Sequence, residues 1–338
     1  MKIAQLVRPN ILSLKPYSSA RDEFPGTEGV FLDANENPYG VLNRYPDPHQ
    51  AILKQTIANE KNLSVNQIMI GNGSDEIIDL AIRIFCEPGK DKVLVCSPTY
   101  GMYRITADIN NVEVVDIPLN EDFQLNTQLL LEVAERESVK IIFLCSPNNP
   151  TGNLLKDIDI VLRQFEGIVF VDEAYIDFCS QKSLVEKLDE FSNLIVSQTF
   201  SKARGLANAR VGMAFACPEI IAFFNRVKPP YNVSGINQKA AVDALKDREG
   251  FKRNLYSILS EREKVIEALK KLRVIKNIFP TEANFVLVQC MHAGDVYQRL
   301  IEKMVIVRNR STQIPDTLRI SIGTPEENRL LIKTLKEL

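Results

Sequence analysis

The sequence predicts an α/β protein, a mostly parallel sheet flanked by helices with a second, smaller α+β domain. Short apolar runs alternate with helical patterns at 92–96, 112–117, 139–145, 168–171, 194–197 and 211–216, the signature of strands joined by crossover helices. The run from Ile168 to Val171 is apolar throughout, as a parallel strand covered on both faces is. At 338 residues and 45% hydrophobic, the chain can bury a large core and is expected to form one large and one smaller domain.

Taken in order, Ile68-Met69-Ile70 reads as a strand, Gly71 to Gly73 as a turn, and Ile77 to Phe85 as an amphipathic helix. Ser74 or Asp75 is the expected N-cap. Residues 243–272 are rich in charges and helix formers and read as helices leading out of the large domain. Beyond them 285–289, 305–307 and 318–322 read as strands of the smaller unit. The expected division is 41–270 for the large domain, and 1–40, an amino-terminal arm, plus 271–338 for the small one. No internal repeat or low-complexity tract interrupts the pattern.

Four segments carry chemistry. Lys202 lies in Thr199-Phe200-Ser201-Lys202-Ala203-Arg204-Gly205, just past an apolar run and eight residues before Arg210. One lysine in such a turn is ordinarily a surface residue, but a lysine amine is also what forms a Schiff base with pyridoxal phosphate, while nearby hydroxyls and an arginine hold its phosphate. Asp172 ends the 168–171 run, where open α/β sheets bind ligands, and its carboxylate suits a protonated pyridine nitrogen. Alone, it reads equally well as a helix cap. Tyr175, three residues on, can reach a ring oxygen of the cofactor. Ser146-Pro147-Asn148-Asn149-Pro150-Thr151-Gly152 stops the preceding strand with turn formers and presents the neutral Asn149 amide as a donor. Gly71-Asn72-Gly73-Ser74-Asp75-Glu76 joins a strand to a helix start, a geometry that aims backbone N–H groups at an anion. It matches neither the dinucleotide fingerprint nor a P-loop.

With these motifs the sequence resembles the fold-type I pyridoxal-phosphate aminotransferases, and within them the histidinol-phosphate aminotransferases, over essentially its whole length. Lys15-Pro16-Tyr17, Leu32-Asp33-Ala34-Asn35-Glu36-Asn37-Pro38, Arg44-Tyr45-Pro46-Asp47, Val307-Arg308-Asn309-Arg310 and Leu318-Arg319-Ile320-Ser321-Ile322-Gly323-Thr324 carry the subfamily likeness. The resemblance implies that Lys202 is the Schiff-base lysine and proton shuttle, Asp172 the pyridinium partner, and Asn149 with Tyr175 the contacts to the ring hydroxyl. It implies that Tyr100, in Ser97-Pro98-Thr99-Tyr100-Gly101, stacks on the ring and that Ser74, Asp75, Ser201 and Arg210 surround the phosphate. Tyr45 is then expected to reach across a homodimer interface to the partner's cofactor phosphate.

The same resemblance makes Arg319 the clamp for a substrate carboxylate or phosphate, with Arg308 as the second phosphate ligand, favoured over Arg310, and Tyr17 and Asn37 as further contacts. A guanidinium fork matches either anion bidentately. The implied reaction converts L-histidinol phosphate and 2-oxoglutarate to imidazole acetol phosphate and L-glutamate, with ping-pong kinetics, in histidine biosynthesis. A threonine-phosphate decarboxylase-like enzyme, or a broad-range aromatic aminotransferase, is the alternative on the same fold.

Composition narrows the field. A net charge of -2 carries no nucleic-acid footprint, and no window is apolar enough to span a membrane. Met1 to Gln5 begins no signal peptide, and six scattered cysteines without a C-x-x-C read as reduced thiols of a cytoplasmic enzyme. His49 and His292, the only histidines, fall in no site motif, so neither a metal centre nor a histidine triad is expected. A binding or regulatory module that keeps the pocket without catalysis finds no appended basic block to support it.

Overall fold

A computed structural model describes residues 2–18, 23 and 29–337. Met1, residues 19–22 and 24–28 of the expected amino-terminal arm, and Leu338 lie outside the described residues. Strands β1 (Ile68–Asn72), β2 (Lys92–Val95), β3 (Glu113–Asp116), β4 (Val139–Cys145), β5 (Ile168–Asp172), β6 (Leu194–Thr199) and β7 (Val211–Ala216) form one seven-stranded sheet in the order β1-β7-β6-β5-β4-β2-β3. The β3, β2, β4, β5 and β6 neighbours pair in parallel, whereas β7 runs antiparallel to both β6 and β1. Each predicted run of the large unit is therefore a strand, within one or two residues at its ends.

Period-two alternation splits the sheet's side chains between two cores. Ile142 and Leu144 of β4, Val169 and Val171 of β5, and Leu194 and Val196 of β6 face one cluster. Ile141, Phe143, Ile168, Phe170 and Ile195 face the other. Burial on both faces explains why these strands read as unbroken apolar runs.

Helices α1 (Pro9–Ser13), α2 (Ala51–Lys61), α3 (Gly73–Phe85), α4 (Met102–Ile109), α5 (Thr127–Arg136), α6 (Ile158–Gln164), α7 (Pro218–Val227) and α8 (Gly235–Lys246) accompany the large sheet. Then α9 (Arg248–Leu269) leads to a four-stranded antiparallel sheet of β8 (Ile275–Ile278), β9 (Phe285–Cys290), β10 (Arg308–Asn309) and β11 (Thr317–Ser321), in the order β10-β11-β9-β8. Helices α10 (Ala293–Glu302) and α11 (Pro325–Lys336) cover it around Val286, Val288, Leu318 and Ile320.

Four details depart from expectation. The α3 helix starts at Gly73 with Asn72 at the N-cap, and no side chain caps it. The Glu76 carboxylate instead accepts from the Asn72 N–H, so neither Ser74 nor Asp75 is the N-cap. Residues 305–307 are not a strand; the short pairing falls at Arg308–Asn309, while Val305 and Val307 pack against the small core. The half-exposed strand β8 was not foreseen, because its residues Lys276 and Asn277 break the apolar run. Ile3, Val7 and Ile11, expected in the arm of the smaller unit, are buried in the large sheet's core beside Ile84, Phe85 and Phe223.

A small cluster joins the two sheets: Tyr175, Phe178 and Ala203 from the large one meet Ala283 and Phe285 from the small one, with Phe251 and Leu255 of α9 against them.

Candidate active site

Parallel pairing sets the carboxyl ends of β4, β5 and β6 side by side, with Cys145 opposite Asp172 and Asp172 opposite Ser197. Asn149 leaves the first of these ends, Asp172 closes the second, and Lys202 lies in the turn after Thr199 at the third. Because β7 runs the other way, its amino end arrives at the same edge, and Arg210 immediately precedes it. Pairing of Val211 with Asn72 then sets Arg210 beside the turn that opens α3. The antiparallel strand thus brings a residue from an amino end to a row of carboxyl ends.

At this corner Arg210 Nη2 donates to Asp75 Oδ2 at 3.3 Å and Nη1 to Ser201 Oγ at 3.3 Å. The Tyr100 hydroxyl donates to Asp75 Oδ1 at 3.0 Å. A methyl group at Gly73, whose φ is +74°, would come within 2.5 Å of Arg210 Nη2, and one at Gly212 within 2.4 Å of the Ser74 nitrogen. Glycine is required at 212 by the close approach of backbone and is favoured at 73 by its positive φ. The Gly73 N–H donates to the Arg210 carbonyl, whereas the next amides of the helix start have no acceptor within the helix. A guanidinium, a hydroxyl and helix-start amides make this an anion-binding corner.

Asp172 lies deeper, only 3% exposed. Its Oδ1 accepts from the Ala174 N–H at 3.1 Å and its Oδ2 from the Tyr103 hydroxyl at 2.9 Å. Burial raises its carboxyl above the usual range, and the donors, Tyr103 first, oppose that shift. Tyr103 itself is fully buried, stacked on Phe143 at 5.0 Å and edge-on to Tyr100 at 5.5 Å. Burial and the Asp172 charge push its phenol well above the ordinary value, so it stays a donor.

Asn149 and Tyr175 meet over the buried joint, the Asn149 amide donating to the phenol oxygen at 3.5 Å. The turn is braced by Asn148, which donates to the Pro98 carbonyl at 2.9 Å and to Thr151 Oγ1 at 2.7 Å and accepts from Thr99 at 3.1 Å. Two motifs distant in sequence, Ser97 to Gly101 and Ser146 to Gly152, are thereby locked together. Lys202 is solvent-accessible, and its Nζ lies 5.6 Å from the Tyr175 ring centre. Partial burial lowers its pKa, the Arg319 charge adds to that, and Asp172 and Asp75 oppose it.

The antiparallel pair β10–β11 sets Arg308 opposite Arg319, and Arg310, two residues along, shares their face. Arg319 donates to Asn149 Oδ1 and lies over the Phe285 ring at 5.3 Å. Its charge and that of Arg310 act on Tyr175. Among the described residues none of the three arginines has a carboxylate partner, and the Arg310 Nε is buried without an acceptor. Mutual repulsion follows burial as a cause that lowers the Arg310 pKa.

The chain therefore brings Lys202, Asp172, Asn149, Tyr175, Tyr100, Ser74, Asp75, Ser201, Arg210, Arg308 and Arg319 to one edge. Tyr17 is exposed, Asn37 accepts from the Tyr39 N–H, and Tyr45, half exposed, stacks on Tyr231 at 4.4 Å. Neither Tyr103, two residues past the Ser97 to Gly101 motif, nor a role for Asn148 within Ser146 to Gly152 is named from the sequence, where Arg310 ranks behind Arg308. Only the period-two spacing of Arg308 and Arg310 hinted at a shared face.

Among the described residues no group of three or more His, Cys, Asp and Glu side chains gathers to hold a metal, and no helix is long and apolar enough to cross a membrane. The six cysteines are free.

Residues 29–335 match the family model of aminotransferase class I and II. The chain is 48% identical, over 99% of its length and 98% of the relative's, to a histidinol-phosphate aminotransferase of Christiangramia forsetii. Its fold superposes with a TM-score of 0.79 on the crystal structure of the histidinol-phosphate aminotransferase from Clostridium acetobutylicum, 26% identical, covering 90% of this chain and 97% of that one. The same TM-score of 0.79 and identity of 26% relate it to the Sinorhizobium meliloti enzyme of that name solved with pyridoxal-5'-phosphate, over 87% of this chain and 82% of that one.

Proposed function

This chain belongs to the class I and II aminotransferases, and on that premise we propose that it moves the amino group of L-histidinol phosphate to 2-oxoglutarate, giving imidazole acetol phosphate and L-glutamate in histidine biosynthesis. It is a pyridoxal-phosphate-dependent transaminase. The observation that carries the choice of substrate is the trio Arg308, Arg310 and Arg319, three cations on one face beside Tyr175 with no carboxylate among them. Such a face takes a dianion, and a phosphate monoester or a dicarboxylate meets it in turn.

The residues fit the cofactor on two counts. A glycine-lined turn sets Arg210 against the start of α3, where it would meet the phosphate, and a buried carboxylate, Asp172, would give the ring nitrogen its counter-charge. Ser74, Asp75, Ser201 and Arg210 would hold the phosphate, Tyr100 the ring face, and Asn149 with Tyr175 the ring hydroxyl. When bound, pyridoxal phosphate supplies an electrophilic aldehyde and a ring that draws electrons from the carbon being deprotonated.

Each residue then acts through its own chemistry. Lys202, whose pKa burial and the Arg319 charge lower, would serve first as nucleophile and then, as a free amine, as the base that takes the substrate Cα proton. Asp172 would supply the negative charge for the ring nitrogen, and Asn149 an N–H without adding charge. Arg319, Arg308 and Arg310 fix the far anion of the substrate so that Cα lies near Lys202 Nζ, and such positioning supplies several kcal/mol of barrier reduction. Both half-reactions use the same groups, so the kinetics are ping-pong.

We also assign a homodimer and the cytoplasm. Val30, Leu32, Tyr39, Val41 and Leu42 are largely exposed apolar side chains of one segment, a surface that a second copy would cover. The half-exposed Tyr45 follows them and is our candidate for reaching the partner's cofactor phosphate, with Tyr17 and Asn37 as the remaining substrate contacts. Free thiols suit a reducing compartment. The domain division at about residues 41 and 270 is proposed on the same footing, with residues 3–11 packed on the large unit.

The test is incubation of the holoenzyme with histidinol phosphate and 2-oxoglutarate. Glutamate formation is the expected result; its absence, with glutamate formed from another amino donor, would remove histidinol phosphate as substrate.

A further inference from the structure

The hydrogen bond between Tyr103 and Asp172 points to a role for a residue that no step above uses. We propose that Tyr103 is a positioning residue for the cofactor, holding the Asp172 carboxylate ionised and oriented for the ring nitrogen. This rests on the assignment of Asp172 to that nitrogen.

Asp172 has two oxygens, and both are tethered: Oδ1 by the Ala174 N–H at 3.1 Å and Oδ2 by the Tyr103 hydroxyl at 2.9 Å. The first tether comes from the backbone and is open to any residue at 174 except proline. The second is supplied by one side chain, and it fixes the torsion of the carboxylate plane. Tyr103 is suited to this task because it cannot move: it is fully buried, stacked on Phe143 at 5.0 Å with an interplanar angle of 10°, and edge-on to Tyr100 at 5.5 Å and 84°. Its ring thus joins the wall that carries Tyr100, the candidate ring-stacking residue, to the Asp172 carboxylate.

A buried carboxylate left short of donors takes up a proton and ceases to be a counter-charge. The Ser197 hydroxyl, opposite Asp172 in the strand register, also favours the ionised carboxylate, but it ranks behind Tyr103 and the Ala174 N–H and makes no hydrogen bond of ordinary geometry, so Tyr103 is the leading side-chain donor. Hydrogen bonds to charged groups are worth enough for their loss to show in affinity. Because Tyr103 acts through Asp172, its removal weakens only ligands that use Asp172.

The experiment measures dissociation constants of the apoprotein for pyridoxal phosphate and for its 1-deaza analogue, in which a C–H replaces the ring nitrogen. Tyr103→Phe is expected to weaken pyridoxal phosphate by about tenfold and the analogue by less than about twofold. Equal weakening of both ligands, or of neither, overturns the proposal. Asp172→Asn supplies the reference: it must itself lose the preference for pyridoxal phosphate over the analogue, and if it does not, the assignment of Asp172 fails instead. It also supplies a second route should Tyr103→Phe not fold alone, since a neutral Asn makes a smaller demand on buried donors. Adding Tyr103→Phe to Asp172→Asn is expected to change pyridoxal phosphate affinity by less than about twofold, and a further tenfold loss in that background contradicts the proposal.

Discussion

At the Asp172 end of the site every charged group meets a partner, whereas at the Arg319 end three guanidiniums share a face with no carboxylate among them. Asp172 is tethered at both oxygens, and Asp75 is bound by Tyr100 and Arg210. Arg319 instead reaches a neutral amide oxygen on Asn149, and the Arg310 Nε has no acceptor at all. The first region is wired before any ligand arrives, as suits a group that stays bound through both half-reactions. The second stores unmatched positive charge, as suits a site through which anions pass.

If Lys202 is the reactive member between these two regions, Lys202→Ala lowers transamination by on the order of 10⁴-fold or more and removes the spectral change that an amino donor produces. Steady-state rates and absorbance of the purified variant check this, and retained turnover breaks the comparison at its centre.

Arg319→Ala is expected to cost on the order of 10²-fold in kcat/KM for both histidinol phosphate and glutamate, since both use the same fork. Arg310→Ala should cost about tenfold, chiefly as a raised KM for histidinol phosphate. Initial-rate kinetics of the two variants sharpen the division of labour. An Arg310 effect confined to kcat would place that side chain outside the anion site.

A pH profile probes Lys202, on which charges of both regions act. The Lys202 amine must be neutral to act, and its pKa is lowered by burial and by Arg319, so the rate at which the apoprotein captures pyridoxal phosphate rises with pH through a midpoint below that of an ordinary lysine. Arg319→Ala removes a lowering charge and should move that midpoint upward. Stopped-flow absorbance from neutral to alkaline pH checks both statements. The smallest effect expected is competition by inorganic phosphate against histidinol phosphate, weakened in Arg310→Ala, because a free phosphate lacks the rest of the substrate's contacts.

The large sheet was legible because both its faces are buried: Ile168 to Val171 and Leu194 to Val196 are apolar without alternation, and the turns after them carry the residues proposed to react. Lys202, Asp172 and Asn149 could be found for the same reason, since a strand end followed by a polar motif marks the ligand edge of such a sheet. Less could be read where tertiary contacts decide. Tyr103 sits on α4 like any core aromatic of an amphipathic helix, and nothing local shows that its hydroxyl meets Asp172 across 69 residues. The start of α3 moved because the Glu76 side chain returns to the Asn72 N–H, and residues 305–307 pack as a loop because β10 pairs only from Arg308 on, Arg308 with Arg319 and Asn309 with Leu318. Ile3, Val7 and Ile11 carry no signal of which core they join.

The central claim, that the arginine face is kept unneutralised for a substrate phosphate, is tested most directly by the ratio of kcat/KM for histidinol phosphate to that for histidinol, in the unmodified enzyme and in Arg310→Ala/Arg319→Ala. The account predicts a ratio on the order of 10²-fold or more that falls to within about tenfold of unity in the double variant. A ratio near one in the unmodified enzyme, or one untouched by the double substitution, would contradict it.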